Sequence, residues 1–323
     1  MKPLVSIIIP TYNRVHLIGE TLESVLSQTY QNWECMVVDD GSTDYTDELM
    51  EFYCNKDNRI KYHHRPANRP KGANACRNYG FELSKGEFIQ FLDSDDLISK
   101  EKLYGQLEIF KSDADVELSF CAWYYFRLNS TDYRDYGVFK SLHKCTTPKK
   151  LFDFLGNKST FLVPHVYLTK RSLLQRSGLW NEYLTINQDG EFFSRVLCFA
   201  TKIKFSDKSK AFYRQNLGVE TLSTLNSDKK IKDAIRSWRL IEKYHNMRYA
   251  NGTMPYIRNG KEALFQSLLK IKTEEIDLNK DFFAYEIRQN KFKSKAVKKI
   301  NELRNCFGNF VKKINVLNIF DKR

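Results

Sequence analysis

The sequence predicts an α/β fold with a mostly parallel sheet, followed by a C-terminal helical region. Two observations carry this. Apolar runs of strand length alternate with segments of helical spacing through the first half of the chain. Three polar clusters, Pro10–Arg14, Asp39–Asp44 and Asp93–Asp96, fall at the ends of such runs. In sheets of this kind ligands bind beyond the carboxyl ends of the strands. With 323 residues and 42% hydrophobic content, the chain can build one large α/β core plus an appendage.

The elements follow in order. Val5–Ile9 reads as a strand, and Val15, Ile18, Leu22, Val25 and Leu26 recur at helical spacing. Trp33–Val38 reads as a strand, Asp44–Tyr53 as a helix and Arg59–His63 as a weaker strand. Gly72–Leu83 reads as a helix, Glu87–Leu92 as a strand and Lys100–Phe110 as a helix. From Glu117 to about Arg214 the pattern is less regular and rich in aromatics, among them Trp123, Phe161, Trp180, Tyr183, Phe192 and Phe193. Core packing is the expectation for most of these, with an acceptor-binding wall as the alternative. Beyond Ser227 the chain reads as helical, with Ile231, Ile235, Trp238 and Ile241 on one face and Leu264, Leu268 and Ile271 on another.

Charge is unevenly spread. The net +13 divides into +8 over residues 291–323, where ten Lys or Arg face two acids, and about +5 over the rest. In that tail Val297, Ile300, Leu303, Phe307, Phe310, Val311, Ile314 and Leu317 recur every three or four residues among basic ones. This is an amphipathic basic pattern suited to an anionic membrane surface. The alternative is a helix that packs on the catalytic domain with its lysines in solvent. A nucleic-acid partner would also suit a basic tail; the expectation adopted is membrane and no nucleic acid. Seven cysteines without Cys-x-x-Cys spacing imply neither a disulfide framework nor a zinc site. A reducing cytosol follows, and no apolar segment approaches transmembrane length.

The chemistry-bearing motif is Leu92-Asp93-Ser94-Asp95-Asp96, directly after Phe88–Phe91. Carboxylates gathered at the end of a core strand repel each other. A hard divalent cation, held by one or two carboxylates plus substrate phosphates, relieves that repulsion. Asp39-Asp40-Gly41-Ser42-Thr43-Asp44 is turn chemistry in which Asp44 can cap the next helix, and a strand-end carboxylate there can also accept from a base N–H. Gly72–Asn78 opens a helix that can put Arg77 and backbone N–H groups near phosphate.

Taken in order and spacing, Ser6–Arg14, Val37–Asp44, Gly72–Asn78 and Phe91–Asp96 resemble the inverting glycosyltransferases of family 2, which have a GT-A nucleotide-sugar-binding fold. The resemblance covers roughly residues 4–215. It implies a GT-A catalytic domain over 1–220, with a nucleotide-binding half about 1–97 and an acceptor-binding half about 98–220. A helical C-terminal region 221–323, with the basic tail 291–323, would follow. It implies that Pro10, Thr11, Asp39 and Asp93 contact base and ribose, within a donor site that also takes in Tyr12, Asn13, Arg14, Asp40, Arg77 and Ser94. Asp95, with Asp93, would ligate Mg²⁺ or Mn²⁺ bridging the diphosphate. His165 would be a third ligand, an acceptor contact or a structural histidine. Tyr213-Arg214 would bring a cation to the diphosphate.

The family's general base maps onto Asp189 in Asn187-Gln188-Asp189-Gly190-Glu191, with Glu191 as competitor and a helix N-cap as the plainer role for Asp189. Gln188 replaces the common Glu, and Cys76 the usual Ala. The implied reaction is metal-dependent transfer of one sugar, with inversion, from a nucleotide-diphosphate sugar (a UDP-sugar foremost) to a hydroxyl of a glycan or lipid-linked acceptor. The implied setting is bacterial surface-polysaccharide synthesis, peripheral on the inner face of the cell membrane. The alternatives are a catalytically inactive sugar-nucleotide-binding scaffold and a processive polysaccharide synthase subunit. The second usually carries transmembrane helices and Gln-x-x-Arg-Trp, neither of which is present.

Overall fold

A computed structural model describes residues 2–127, 133–134, 138–215, 224–250 and 254–292. Two compact units divide the chain, Met1–Asn259 and Gly260–Arg323.

The first unit opens with strand β1 (Val5–Thr11), helix α1 (Val15–Leu26), β2 (Trp33–Asp39), α2 (Thr46–Lys56), β3 (Ile60–His64), α3 (Ala73–Leu83) and β4 (Phe88–Phe91). Every strand and helix expected in this stretch is present, with ends moved by a few residues. A short β5 (Leu97–Ile98), α4 (Lys102–Ser112), β6 (Leu118–Phe126), β7 (Tyr133–Arg134), α5 (Pro148–Lys158), β8 (Leu168–Lys170), α6 (Arg171–Ser177), α7 (Gln188–Phe199) and β9 (Ile203–Arg214) follow. Helix α8 (Asp228–Tyr249) closes the series.

The strands form one sheet in the order β3-β2-β1-β4-β8-β6-β9-β5, with β7 against β6. β3, β2, β1 and β4 are parallel neighbours, and β6 and β9 are parallel too. The antiparallel pairings are short. β1 is buried along its whole length, as a parallel strand covered on both faces must be. Alternation still sorts its side chains. Ile7 and Ile9 pack with Ile18, Leu22 and Val25 of α1, whereas Ile8 packs with Phe81, Phe91, Phe120 and Phe192 on the other face.

Most of the aromatics of the second half are core. Trp123, Phe126, Trp180, Phe192 and Phe193 are buried, and Trp180 stacks on Phe192 at 4.0 Å. Tyr183 and Phe161 are exposed. In α8, Ile231, Ile235 and Ile241 are buried as the spacing predicts.

The second unit takes in the later part of α9 (Pro255–Ile271), α10 (Thr273–Leu278) and a helical stretch over 284–292. Leu264 and Leu268 are buried among its apolar residues, but Ile271 is exposed. The expected apolar stripe therefore stops a turn early, at the end of α9. The amphipathic tail lies outside the described residues, apart from residues 291 and 292. Among the described residues no helix is long and apolar enough to cross a membrane.

Candidate active site

The site gathers where the parallel strands end. After β1, Pro10 and Thr11 are buried at the strand end, Tyr12 is exposed, and Asn13 takes a left-handed conformation (φ 51°). Asn13 N donates to Ser42 Oγ (2.8 Å) and Asn13 Oδ1 accepts from Thr43 N (2.8 Å), so the loops after β1 and β2 are tied together. Asp39 is fully buried and accepts from the N–H groups of Gly41 and Ser42, both at 2.6 Å. That turn needs φ +89° at residue 41, which glycine takes without strain. Asp40 pairs with Arg65 Nε at 2.5 Å.

Asp44 accepts from Thr46 N at the start of α2 and from Val15 N at the start of α1. Burial is the largest single influence and raises its pKa, but the Thr46 hydroxyl and the Val15 and Thr46 N–H groups together outweigh it and lower the pKa. The N-cap position of α2 is Tyr45, so Asp44, expected as the cap, stands one residue ahead of it while bonding the first N–H of each helix. Lys71 Nζ lies 4.0 Å from the Tyr12 ring centroid. Thr11 Oγ1 is buried without a partner, an unspent polar group where a ligand would sit.

After β4 comes the acidic cluster. Asp93 accepts from Arg77 Nη2 at 2.6 Å. Arg77 also donates to Asn74 Oδ1 (3.0 Å) and lies 4.4 Å from the Trp180 ring. The arginine expected near phosphate is therefore buried and bonded to Asp93 and Asn74, with its Nε left without a partner among the described residues. Ser94 is buried. Asp95 Oδ2 is 4.0 Å from Arg14 Nε. Burial and then the Asp93 charge raise the Asp95 pKa, against the pull of Arg14. Asp96 is buried, accepts from Arg214 N at 2.8 Å, and faces His165 Nδ1 at 3.3 Å. Burial and then the charges of Asp95 and Asp93 push Asp96 well up, and burial pushes His165 down to about 3. Burial thus disfavours the charge on both partners.

Arg214 does not project freely. Its Nε donates to Asp95 O and its Nη2 to Glu20 Oε2, each at 2.8 Å, and it braces the loop that carries the acids. Beside it Tyr213 meets Trp123 edge-on at 5.7 Å. Glu20, on α1, was not singled out in the sequence; its partner lies 194 residues away.

Among the described residues no three His, Cys, Asp or Glu side chains converge as a protein cage for a metal. Asp93 and Asp95 do feel each other's charge. Two carboxylates with Arg14 beside them fit a Mg²⁺ or Mn²⁺ that takes its remaining ligands from phosphate and water.

Asp189 comes from the other half. It sits in the first turn of α7, two residues past Asn187, which occupies the N-cap position instead. Asp189 is half-buried. Burial raises its pKa, opposed by the Gly190 N–H and the Arg77 guanidinium, while Asp93 adds to the rise. Arg77 and Asp93 are thus its charged neighbours. The competitor Glu191 is buried and forks onto Arg195 (2.7 and 3.1 Å), which also donates to the carbonyls of Ser177, Gly178 and Leu179. Both Glu191 carboxylate oxygens are thus bonded to Arg195.

The two halves are joined by α3. Asn74 Nδ2 donates to Asn181 O (2.8 Å), and Asn78 Nδ2 donates to Trp180 O (2.9 Å) and Glu182 Oε1 (2.8 Å). These asparagines lie inside a motif read for its arginine; their part is to hold the 180–184 segment.

A mostly parallel α/β sheet gathers acids at its strand ends, and a further carboxylate sits in the first turn of α7. Residues 6–181 match the family described as Glycosyl transferase family 2. Glycosyltransferase GlyG of Streptococcus pneumoniae serotype 4 is 30% identical over 229 residues, 68% of this chain and 73% of GlyG. WfgD of Escherichia coli, a UDP-Glc:alpha-D-GlcNAc-diphosphoundecaprenol beta-1,3-glucosyltransferase, is 45% identical over 107 residues, 33% of this chain and 40% of WfgD. S. aureus TarS 1–349, solved with UDP-GlcNAc, superposes with a TM-score of 0.69 at 25% identity, covering 87% of this chain and 80% of that one. The chain belongs to glycosyl transferase family 2 and is a glycosyltransferase of GT-A fold. The family match ends eight residues before Asp189.

Proposed function

We propose that this chain moves one sugar, with inversion, from a UDP-sugar to a hydroxyl of a glycan or lipid-linked acceptor in surface-polysaccharide synthesis. One observation carries the mechanism: Asp189 stands within electrostatic reach of Arg77 and Asp93, while its rival Glu191 is spent on Arg195. Asp189, unlike Glu191, has no ion-pair partner of its own among the described residues, and the charges of Arg77 and Asp93 act on it. Asp189 takes the acceptor hydroxyl proton as the oxygen attacks the anomeric carbon. Arg14 lies beside Asp95 and opposes the negative charge that gathers on the leaving diphosphate. Asp93 and Asp95 would hold Mg²⁺ or Mn²⁺, which when bound supplies Lewis-acid stabilisation to that leaving group. Thr11, Asp39 and the linked loops of Asn13 and Ser42 line the nucleoside end. Donor choice follows from relatives: TarS was solved with UDP-GlcNAc, and WfgD uses UDP-glucose.

Residues 1–220 form the catalytic module in this reading, and 221–323 its helical extension. The +8 tail would hold the enzyme peripherally at the cytoplasmic face of a membrane, close to lipid-linked acceptors. The deciding experiment screens nucleotide sugars for turnover with Mg²⁺, Mn²⁺ or excess chelator. Cation-dependent release of UDP from UDP-glucose or UDP-GlcNAc is the expected result; no turnover of any donor would favour the inactive scaffold. Sedimentation with anionic and neutral vesicles, for the full chain and one ending at residue 290, tests the tail. Equal binding by both chains would reject the membrane role.

A further inference from the structure

We propose that Asp233 and Ser237 of α8 are positioning residues for Asp189, an inference that rests on Asp189 being the base. The two lie one helical turn apart, on one face of α8, and both are buried. They grip the segment immediately before α7. Asp233 Oδ2 accepts from Thr185 N (3.1 Å) and from Thr185 Oγ1 (2.6 Å). Ser237 Oγ accepts from Asn187 Nδ2 (2.8 Å) and donates to Asn187 O (3.1 Å). Lys229 Nζ, one turn before Asp233, lies 3.3 Å from the same Oδ2.

The residue held in this way is unusual. Asn187 is in the left-handed region (φ 51°, ψ 35°) at the N-cap, yet its side chain makes no capping bond to its own helix. An N-cap Asn ordinarily turns inward to bond the first free N–H groups. Here its amide reaches out to α8 instead, and its carbonyl serves both Glu191 N (3.1 Å) and Ser237. Gly190 fits this arrangement, because a Cβ there would run into Asn187 Oδ1. The backbone twist at Asn187 sets the direction in which α7 starts, and Asp189 lies two residues further on. Removing the grip lets the Thr185–Asn187 turn relax and moves the carboxylate relative to Arg77 and Asp93. A positional error of about 1 Å at a reacting group costs up to about a hundredfold in rate.

The test compares Asp233→Ala, Ser237→Ala, the double variant and the conservative Ser237→Thr, with Asp189→Asn as reference. Amide hydrogen exchange over residues 185–193 reads the grip directly and needs no substrate. The double variant is expected to exchange there about tenfold faster, the effect of losing one or two hydrogen bonds, while β1, β2 and β4 are unchanged. Donor hydrolysis, with UDP-glucose and UDP-GlcNAc as probes, is expected to fall about tenfold, with UDP affinity by calorimetry unchanged and Ser237→Thr recovering most of the rate. Unchanged exchange in the double variant overturns the proposal. So does a loss of UDP binding in parallel with turnover, which marks a general structural role. If Asp189→Asn is crippled and the double variant is not, the positioning role fails alone. If Asp189→Asn turns over donor like the wild type, the base assignment fails, and the exchange result still decides whether α8 holds this segment.

Discussion

The donor-side loops and the base-side helix hold their functional groups in opposite ways. On the donor side the first tie is local. Asp39 accepts from residues two and three positions ahead, and Asn13 then bonds the same turn from 29 and 30 positions earlier. On the base side the turn before Asp189 is held by residues 48 and 50 positions later in the chain. Short-range turns close at little entropic cost and leave a recognisable residue pattern. A long-range grip leaves none, because its partners are ordinary residues of a helix. The donor side is therefore written in motifs, and the base side in packing.

The hardest test of the donor side is Asp95→Ala, expected to abolish sugar transfer. Burial and then the Asp93 charge raise its pKa, so the fold disfavours its charged form. A raised folded pKa means that stability is lost as pH rises through it, so the variant should melt no lower than the wild type at neutral pH. Full transfer by the variant, or by the wild type in excess chelator, would take the acidic cluster out of the chemistry.

On the base side, Glu191→Ala should cost about 3–5 kcal/mol of stability in denaturant titration, the usual effect of stranding one partner of a buried ion pair. A loss under about 1 kcal/mol would mean that Arg195 does not depend on it.

Asp189→Asn should lower transfer at least about a hundredfold and leave UDP binding intact, which separates the two sides directly. Glu191→Gln should keep most of the rate; the reverse outcome would move the base to Glu191. Burial raises the Asp189 pKa, and a base must be deprotonated. The rate should therefore fall on the acid side with a midpoint above the ordinary aspartate value of about 3.9, and Asp189→Asn should erase that limb.

A smaller effect concerns the helical packing behind α7. His245 is buried against Phe152 and Tyr249, and burial lowers its pKa from 6.5 to about 4. The unfolded chain takes up a proton near 6.5 and the folded one does not. Stability should fall as pH drops from about 6.5 toward about 4, by up to roughly 3 kcal/mol. His245→Phe should flatten that slope in thermal melts; an unchanged slope would place the acid sensitivity elsewhere.

The smallest expected effect is Ser42→Ala. It removes the acceptor for Asn13 N at a cost of about 1 kcal/mol, together with weaker UDP binding measured by calorimetry. Intact UDP affinity would show that the tie between the two loops is structural only.

The sequence alone specified the alternating strands and helices up to α4, because continuous apolar runs and 3.6-residue spacing suit a parallel sheet buried on both faces. It also picked out Asp39, Asp44, Asp93 and Asp95, whose placement at strand ends is a local pattern. Tertiary structure decided the rest. Arg77 and Arg214 carry charges that suit a phosphate, yet Arg77 is buried against Asp93 and Arg214 against the Asp95 carbonyl. The sequence records that a cation is present, and only the fold records which acceptor reaches it first. Glu191 and Asp189 stand two residues apart and are chemically interchangeable on paper. The helical rotation between them turns one into the core against Arg195 and leaves the other half-buried, where the charges of Arg77 and Asp93 act on it. The part played by α8 was not legible, since Asp233 and Ser237 acquire their role only when a helix some fifty residues downstream is brought against the turn that starts α7. Contacts of that separation are chosen by the whole packed core, and no local pattern can carry them.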